Sequence, residues 1–338
     1  MILSYLGSKK TLLPQLESVI RPLFKSGECS TFCDLFMGSG CVANYFAKKC
    51  EGVTHVMGND MELYSYVLGK GLLCCPYSVK LARVIDSFNA GDCVRVVNGL
   101  IWKHFSRDRL YFKADNAVAI DTVRVGIHRL FESGIVTWNE FLFLLASLLK
   151  SASLVANTSG TFRAHLKTLA KKADRSFKLV PVHTDYLPCR AKTTVFKKNA
   201  TMFAGNHSVQ HCVYIDPPYN NVHYSAYYSF LNYLCMYDKN VELVGTGIIR
   251  DYYKSPFGLA RTAYHEFSKL FHQLQVRGTK YIIMSYSSRA ILPIHILCDL
   301  MKSFGFVSVL QTRHRKYISN NKFKGQSVTE YIMKLKLK

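Results

Sequence analysis

The chain has 338 residues, 49% of them hydrophobic, which is enough for one large or two medium domains around a sizeable core. Its 44 Lys and Arg against 22 Asp and Glu give a net charge of +22, spread along the sequence rather than gathered in a tail, so a polyanionic partner is expected. The opening Met1-Ile2-Leu3-Ser4-Tyr5-Leu6-Gly7 is too short an apolar stretch for a signal peptide. The longest apolar run, Phe141 to Leu149, falls far below a membrane span, which excludes export and membrane insertion from the expectations.

The 11 cysteines are odd in number and show no paired CxxC spacing or histidine pattern. Reduced thiols in a cytoplasmic setting are therefore expected, with no zinc site and no disulfide frame.

The first informative block is Tyr5-Leu6-Gly7-Ser8-Lys9-Lys10, followed by Leu12, Leu13, Leu16, Val19, Ile20, Leu23 and Phe24 at amphipathic-helix spacing. Ser8 is the predicted cap, and Pro14 fits only in the first turns. Free backbone N–H groups there, with the charge of Lys9, would suit a carboxylate or a phosphate.

Next, Thr31-Phe32-Cys33-Asp34-Leu35-Phe36-Met37-Gly38-Ser39-Gly40 reads as a strand entering a Gly-x-Gly turn, with a helix over Cys41 to Cys50. That geometry brings backbone close to a nucleotide-like ligand. Asn44-Tyr45 stands where the dinucleotide fingerprint needs its third glycine, which argues against NAD and for a smaller adenosyl ligand. Val53 to Met57 is the next predicted strand. It ends in Gly58-Asn59-Asp60, an acid about 20 residues past the glycines and suitably placed for a ribose diol.

Between Asp60 and Asp216 lie about 150 residues, too many for the remaining strand–helix units of one sheet. Three segments are expected: residues 1–74 as the first part of a catalytic domain, 75–190 as an inserted, mainly helical domain, and 191–338 as the second catalytic part. The insert interleaves basic side chains such as Arg95, Lys103, Arg107 and Arg163 with aromatics such as Trp102, Phe105 and Tyr111, the mixture that phosphate and groove contacts need. Glu140 to Val155 reads as a buried helix.

The run Cys212-Val213-Tyr214-Ile215 is a predicted core strand that must stop at Asp216-Pro217-Pro218-Tyr219, because two prolines cannot donate to a ladder. An exocyclic amino group has two N–H donors, which the Asp216 carboxylate and the Pro217 carbonyl would accept. Tyr219 would offer a ring for stacking. The stretch beyond, with Asn221, His223, Tyr227 and Tyr228, would border a base and its backbone. A helix over Arg261 to Gln275, a strand from Tyr281 to Ser285, a helix over Ile291 to Phe304 and closing strands at Phe306 to Leu310 and Tyr331 to Leu337 complete the sheet. Arg313, Arg315 and Lys316 open a basic loop that runs to Lys324.

Tyr-Leu-Gly-Ser-Lys, Asp-Leu-Phe-Met-Gly-Ser-Gly, Asn-Asp and Asp-Pro-Pro-Tyr occur here in that order, and together they resemble the alpha-class, Dam-like N6-adenine DNA methyltransferases. Asn157-Thr158-Ser159-Gly160, Ser255-Pro256-Phe257 and Tyr281 to Tyr286 are similar to further family stretches. The resemblance implies a Rossmann-like, mostly parallel α/β sheet with helices on both faces, S-adenosylmethionine as cofactor and methylation of adenine in double-stranded DNA. It also implies Asp216, Pro217, Pro218 and Tyr219 as the catalytic corner. Tyr5, Gly7, Ser8, Lys9, Asp34, Phe36, Gly38, Ser39, Gly40, Asn59, Asp60 and Asp216 would line the cofactor pocket. The family often carries an acid on the strand before the corner, whereas Phe196-Lys197-Lys198-Asn199-Ala200-Thr201 has none here. Asn221, His223, Tyr227, Tyr228, Arg313, Arg315 and Lys316 are the expected DNA contacts. A cognate restriction endonuclease is the implied partner, in the cytoplasm or, for a viral protein, in the nucleic-acid-containing compartment of its host. Cytosine N4 or RNA adenine as the target, and a non-catalytic DNA-binding subunit, stand as the alternatives.

Overall fold

The computed structural model describes residues 7–207, 210–220, 222–315 and 327–338, which form two compact units. The first unit contains residues 62–188 and 224–253 with the start of the chain to Ser8. The second contains residues 9–61, 189–223 and 254–338. Residues 75–188 of the expected insert fall in the first unit, whose main segment starts at Glu62 and which also takes in residues 224–253.

In chain order the strands are β1 (Thr31–Asp34), β2 (His55–Asp60), β3 (Lys192–Lys197), β4 (Cys212–Ile215), β5 (Leu243–Val244), β6 (Ile248–Ile249), β7 (Tyr281–Ser287), β8 (Gly305–Arg315) and β9 (Ser327–Leu337). All but β5 and β6 build one sheet of the second unit, ordered β3-β2-β1-β4-β7-β9-β8. Its first five strands are parallel and β9 runs antiparallel to both neighbours. β4 is buried at every residue, and so is β7, as parallel strands covered by helices on both faces must be. Phe203, Phe267, Phe271, Leu270 and Met284 are among the core side chains with no exposure, each stabilising by about 1.5–3 kcal/mol.

Strands β1 and β4 lie side by side while β2 and β3 run off to the other side, so the strand order reverses between β1 and β4. A crevice opens at the carboxyl ends of the strands at such a reversal. Asp34 closes β1 and Asp216 follows β4, which puts both acids at that point.

Two expected boundaries move. Ser8 does not cap the first helix, because Lys9–Leu12 forms a 3₁₀ turn first and the α-helix α1 (Leu13–Lys25) starts after it, with Pro14 in its first turn. The ladder between β8 and β9 continues to Arg315 opposite Ser327, so Arg313 and Arg315 lie in strand rather than loop. Lys316 to Lys324 is outside the described residues.

The first unit is helical, built on Leu63–Leu73, Val79–Ala90, Ala114–Glu132 and Trp138–Leu154, with the β5–β6 ladder later in its sequence. Thr137 and Glu140 form a capping box at the start of the last of these helices, which is the buried helix expected at Glu140 to Val155. The unit's core is aromatic: Phe105 packs against Tyr111, Phe230 and Tyr233. Asn157, from one of the further family-like stretches, is fully buried and binds Leu110 O, Leu166 O and the Ala170 N–H, so it holds a loop together.

Candidate active site

β1 delivers Asp34 into the core and then turns through Leu35-Phe36-Met37-Gly38-Ser39-Gly40 into helix α2 (Cys41–Lys49). Gly38 at φ 52° and Gly40 at φ 75° take left-handed conformations that a side chain would strain. Backbone bonds fix the turn: Leu35 N–H donates to Tyr214 O at 3.0 Å, Met37 N–H to Asn59 O at 2.9 Å and Gly40 N–H to Met37 O at 2.8 Å. Asp60, at the end of β2, accepts the Gly38 N–H at 2.7 Å. Gly58 matters for a different reason. A Cβ there would sit 2.5 Å from Met37 Sδ, so a larger residue would push the Met37 side chain out of its place over β2.

Asp34 is 1% exposed; its Oδ2 accepts the Ala43 N–H at 3.1 Å, and its Oδ1 is buried with no partner among the described residues. Burial pushes its carboxyl well above the ordinary range. The Ala43 bond opposes that, and the charges of Asp216 and Asp60 add to it.

β4 stops after Ile215, as the prolines require, and Asp216 meets Lys9 there. Lys9 Nζ lies 3.0 Å from Asp216 Oδ1 and 5.4 Å from the centre of the Tyr219 ring. Burial alone would lower the proton affinity of Lys9, but Asp216, then Tyr219, Tyr214 and Glu330, hold the ammonium well above its ordinary range, so it stays charged. Burial pushes the Asp216 carboxyl up and Lys9 pulls it back. Tyr219 is pushed up to about 12 by burial, so its hydroxyl keeps its proton.

The corner is held from behind. The Tyr219 ring stands edge-on to Tyr286 at 5.6 Å, and its carbonyl accepts the Ile291 N–H at 2.8 Å. The 3₁₀ turn Pro256–Gly258 presses on the prolines, since a Cβ on Gly258 would lie 2.7 Å from Asn220 O and 3.3 Å from Pro218 O. Phe257 in that turn packs edge-on against Phe36 at 5.2 Å, tying corner and glycine turn together.

The structure thus brings Lys9, Asp34, Phe36, Gly38, Ser39, Gly40, Asp60, Asp216, Pro217, Pro218 and Tyr219 to the carboxyl end of adjacent strands. Asn59 belongs to the scaffold. It is buried, donates to Leu35 O and Lys198 O and accepts the Lys198 N–H, which commits its amide to the backbone. Gly7, at φ 75°, and Ser8 are exposed in the first unit, where a Cβ on Gly7 would meet Tyr224 Oη at 3.1 Å. Tyr228 is 1% exposed and packs against Tyr64, a core position, while half-buried Tyr227 carries the Arg163 guanidinium 5.1 Å from its ring centre. His223 is half-buried. Tyr5, Asn221 and Lys316 lie outside the described residues, and the side chains of Arg313 and Arg315 are not described. Where an acid was absent before the corner, Asn199 instead caps the helix Ala200–Asn206 through Thr201 and Met202 N–H.

Sequence reasoning missed Gly258 and Glu330. The glycine after Ser255-Pro256-Phe257 was a readable signal of close backbone approach. Glu330 had no local signal at all.

A Gly-x-Gly turn on the first strand and an acid–proline corner on the fourth, across the order reversal of a mostly parallel sheet, define the class as methyltransferases with a Rossmann-like sheet. The chain belongs to the D12 class N6 adenine-specific DNA methyltransferase family, whose model matches residues 5–287. It is 32% identical to the modification methylase LlaI of Lactococcus lactis subsp. lactis over 98% of this chain and 54% of that protein. It is 32% identical to the type II methyltransferase M.CviAII of Paramecium bursaria Chlorella virus 1, and 30% identical to M.NlaIII of Neisseria lactamica. These two matches cover 98% of this chain and 97% and 98% of the respective relatives, whereas only about half of LlaI is spanned. No helix among the described residues is long and apolar enough to cross a membrane.

Proposed function

We propose that the protein transfers the methyl group of S-adenosylmethionine to the N6-amino group of an adenine flipped out of duplex DNA. The carrying observation is the Asp216-Pro217-Pro218-Tyr219 corner, set at the sheet's order reversal beside a glycine turn that buries an acid with one oxygen unpaired among the described residues. The residues present fit the cofactor. Asp34 Oδ1 is buried without a partner among the described residues, and Asp34 feels the charges of both Asp216 and Asp60, so three acids converge here, a set suited to a cationic ligand. Gly38, Ser39, Gly40, Asp34 and Phe36 would hold its methionine part and Asp60 its ribose.

When bound, the cofactor supplies a methyl group on a cationic sulfonium. The Asp216 carboxylate and the Pro217 carbonyl accept the two N6 hydrogens and aim the nitrogen lone pair, Tyr219 stacks on the base, and the prolines keep both acceptors in fixed directions. Asp216 would take the proton that N6 gives up in exchange for the methyl group. Positioning supplies most of the rate. Incubating duplex DNA and labelled S-adenosylmethionine with the protein, then analysing nucleosides by mass spectrometry, tests this. N6-methyl-2′-deoxyadenosine is expected; N4-methyl-2′-deoxycytidine would move the target, and no product would leave a binding subunit.

The relatives are named modification methylases and type II methyltransferases, which supports a cognate endonuclease as partner. The surplus of +22 supports a DNA-facing role for the helical unit, including Arg163 and Tyr227, and for Arg313, Arg315 and Lys316. Replacing these last three by Ala should lower the slope of log affinity against log salt by roughly one for each phosphate no longer neutralised, with base preference unchanged. Binding of two duplexes across a salt series measures it, and an unchanged slope would remove the segment from the DNA face.

A further inference from the structure

Glu330 stands in β9 opposite Ser287 of β7, with Thr312 of β8 on its other side. β7 is also the neighbour of β4, pairing Met284 with Ile215, so its carboxyl end runs alongside the corner. Tyr286 of β7 touches the Tyr219 ring, and the Ser288 N–H donates to Thr329 O at 2.9 Å, which holds the end of β9 against that point. The Glu330 carboxylate is pointed inward, and its Oε2 is buried with no hydrogen-bond partner among the described residues.

Lys9 occupies Asp216 Oδ1 at 3.0 Å. An amino group that needs the Asp216 carboxylate must compete with that ammonium. Releasing a buried lysine to no partner costs several kcal/mol. A second carboxylate in the same pocket removes that cost.

We infer that Glu330 is a positioning residue, which takes Lys9 from Asp216 when the target amino group arrives and so frees the Asp216 carboxylate to accept N6–H. This rests on the role proposed above for Asp216. The charged and titratable groups around the pocket are consistent with it. Lys9 is attracted by Asp216, Tyr219, Tyr214 and Glu330; Glu330 is pushed up by burial, pulled down by Lys9 and pushed up by Asp216; Cys41 also feels Asp216 and meets the Lys9 backbone. The ammonium is therefore paired with one acid, Asp216, and within electrostatic reach of a second, Glu330, with Asp34 further along the same strand ends.

The test uses the full chain, duplex DNA and labelled S-adenosylmethionine, with kcat and KM followed across pH for wild type, Glu330→Gln, Glu330→Asp and Asp216→Asn, each checked for folding by circular dichroism. Glu330→Gln should lower kcat about tenfold with the KM for DNA unchanged. It removes a like charge beside Asp216, which stabilises the Asp216 carboxylate, so the acid limb of kcat should move down by about 1 pH unit. Glu330→Asp should keep the wild-type limb and most of the rate. A packing role alone would leave the limb in place. Wild-type kcat with an unmoved limb in Glu330→Gln, or Glu330→Asp no better than Glu330→Gln, overturns the inference while an inactive Asp216→Asn still supports the methyltransfer reading. An active Asp216→Asn sinks that reading and the inference with it.

Discussion

Asp121, in the helical unit, and Asp34, beneath the glycine turn of the sheet unit, are both buried carboxylates, at 0% and 1% exposure. Asp121 is saturated: it accepts the Ile101 N–H at 2.9 Å, the Trp102 N–H at 2.8 Å and the Tyr237 hydroxyl at 2.6 Å. Arg124 in the same unit is treated alike, its guanidinium spent on Leu234 O and Cys235 O. In the sheet unit Asp34 and Glu330 each keep a buried oxygen without a partner among the described residues, and Asp216 shares a single lysine. Closed hydrogen-bond shells make buried charge structural, whereas open shells leave an acceptor for something else to fill.

If that distinction holds, the two kinds of acid should fail in different assays. Asp216→Ala should lower kcat about 1000-fold or more while circular dichroism still reports a folded chain. Retained turnover in methyl-incorporation assays would show the corner has been misread. Asp121→Ala should instead leave kcat per folded molecule near wild type and cost about 3–5 kcal/mol of stability, because three donors lose their acceptor in the core. Urea midpoints measure it, and a destabilisation under about 1 kcal/mol would mean the shell is not closed. Tyr237→Phe removes one of those three bonds and should cost about 1.5–2 kcal/mol in the same assay, again with kcat unchanged.

The finest test is pH. Asp34 has its carboxyl raised in the fold, so between the ordinary aspartate value near 4 and its raised value the folded chain holds a proton that the unfolded chain has lost. Stability therefore falls as pH rises through that window. Asp34→Asn cannot ionise, so its stability relative to wild type should climb from pH 4 to pH 7; a gap constant across that range would show that Asp34 ionises freely in the fold.

The corner was legible because its signal is local: four apolar residues followed by an acid and two prolines permit little else. The glycine turn was legible for the same reason. What Lys9 does there was not, since its partner Asp216 is 207 positions away and only the sheet joins them. Asn59 was read with Asp60 as a pair, but alternate strand residues face opposite ways, and its amide turns into the scaffold. Tyr228 sits in a Tyr-rich stretch that reads as surface. It is core because the helical start Tyr224–Tyr227 directs it onto Tyr64. Glu330 was invisible because its place depends on the hairpin register of β8 and β9, where a slip of one residue would turn it to the other face.

The pairing of β9 with β7 also sets a schedule. Lys9 is made before β9, residues 327–337, which pairs with the β7 strand beside the corner. At about 5–20 residues per second, roughly 15–65 s separate Lys9 from Glu330 on the ribosome. For that interval the nascent chain has its glycine turn and then its corner without β9 and the acid it brings toward Lys9.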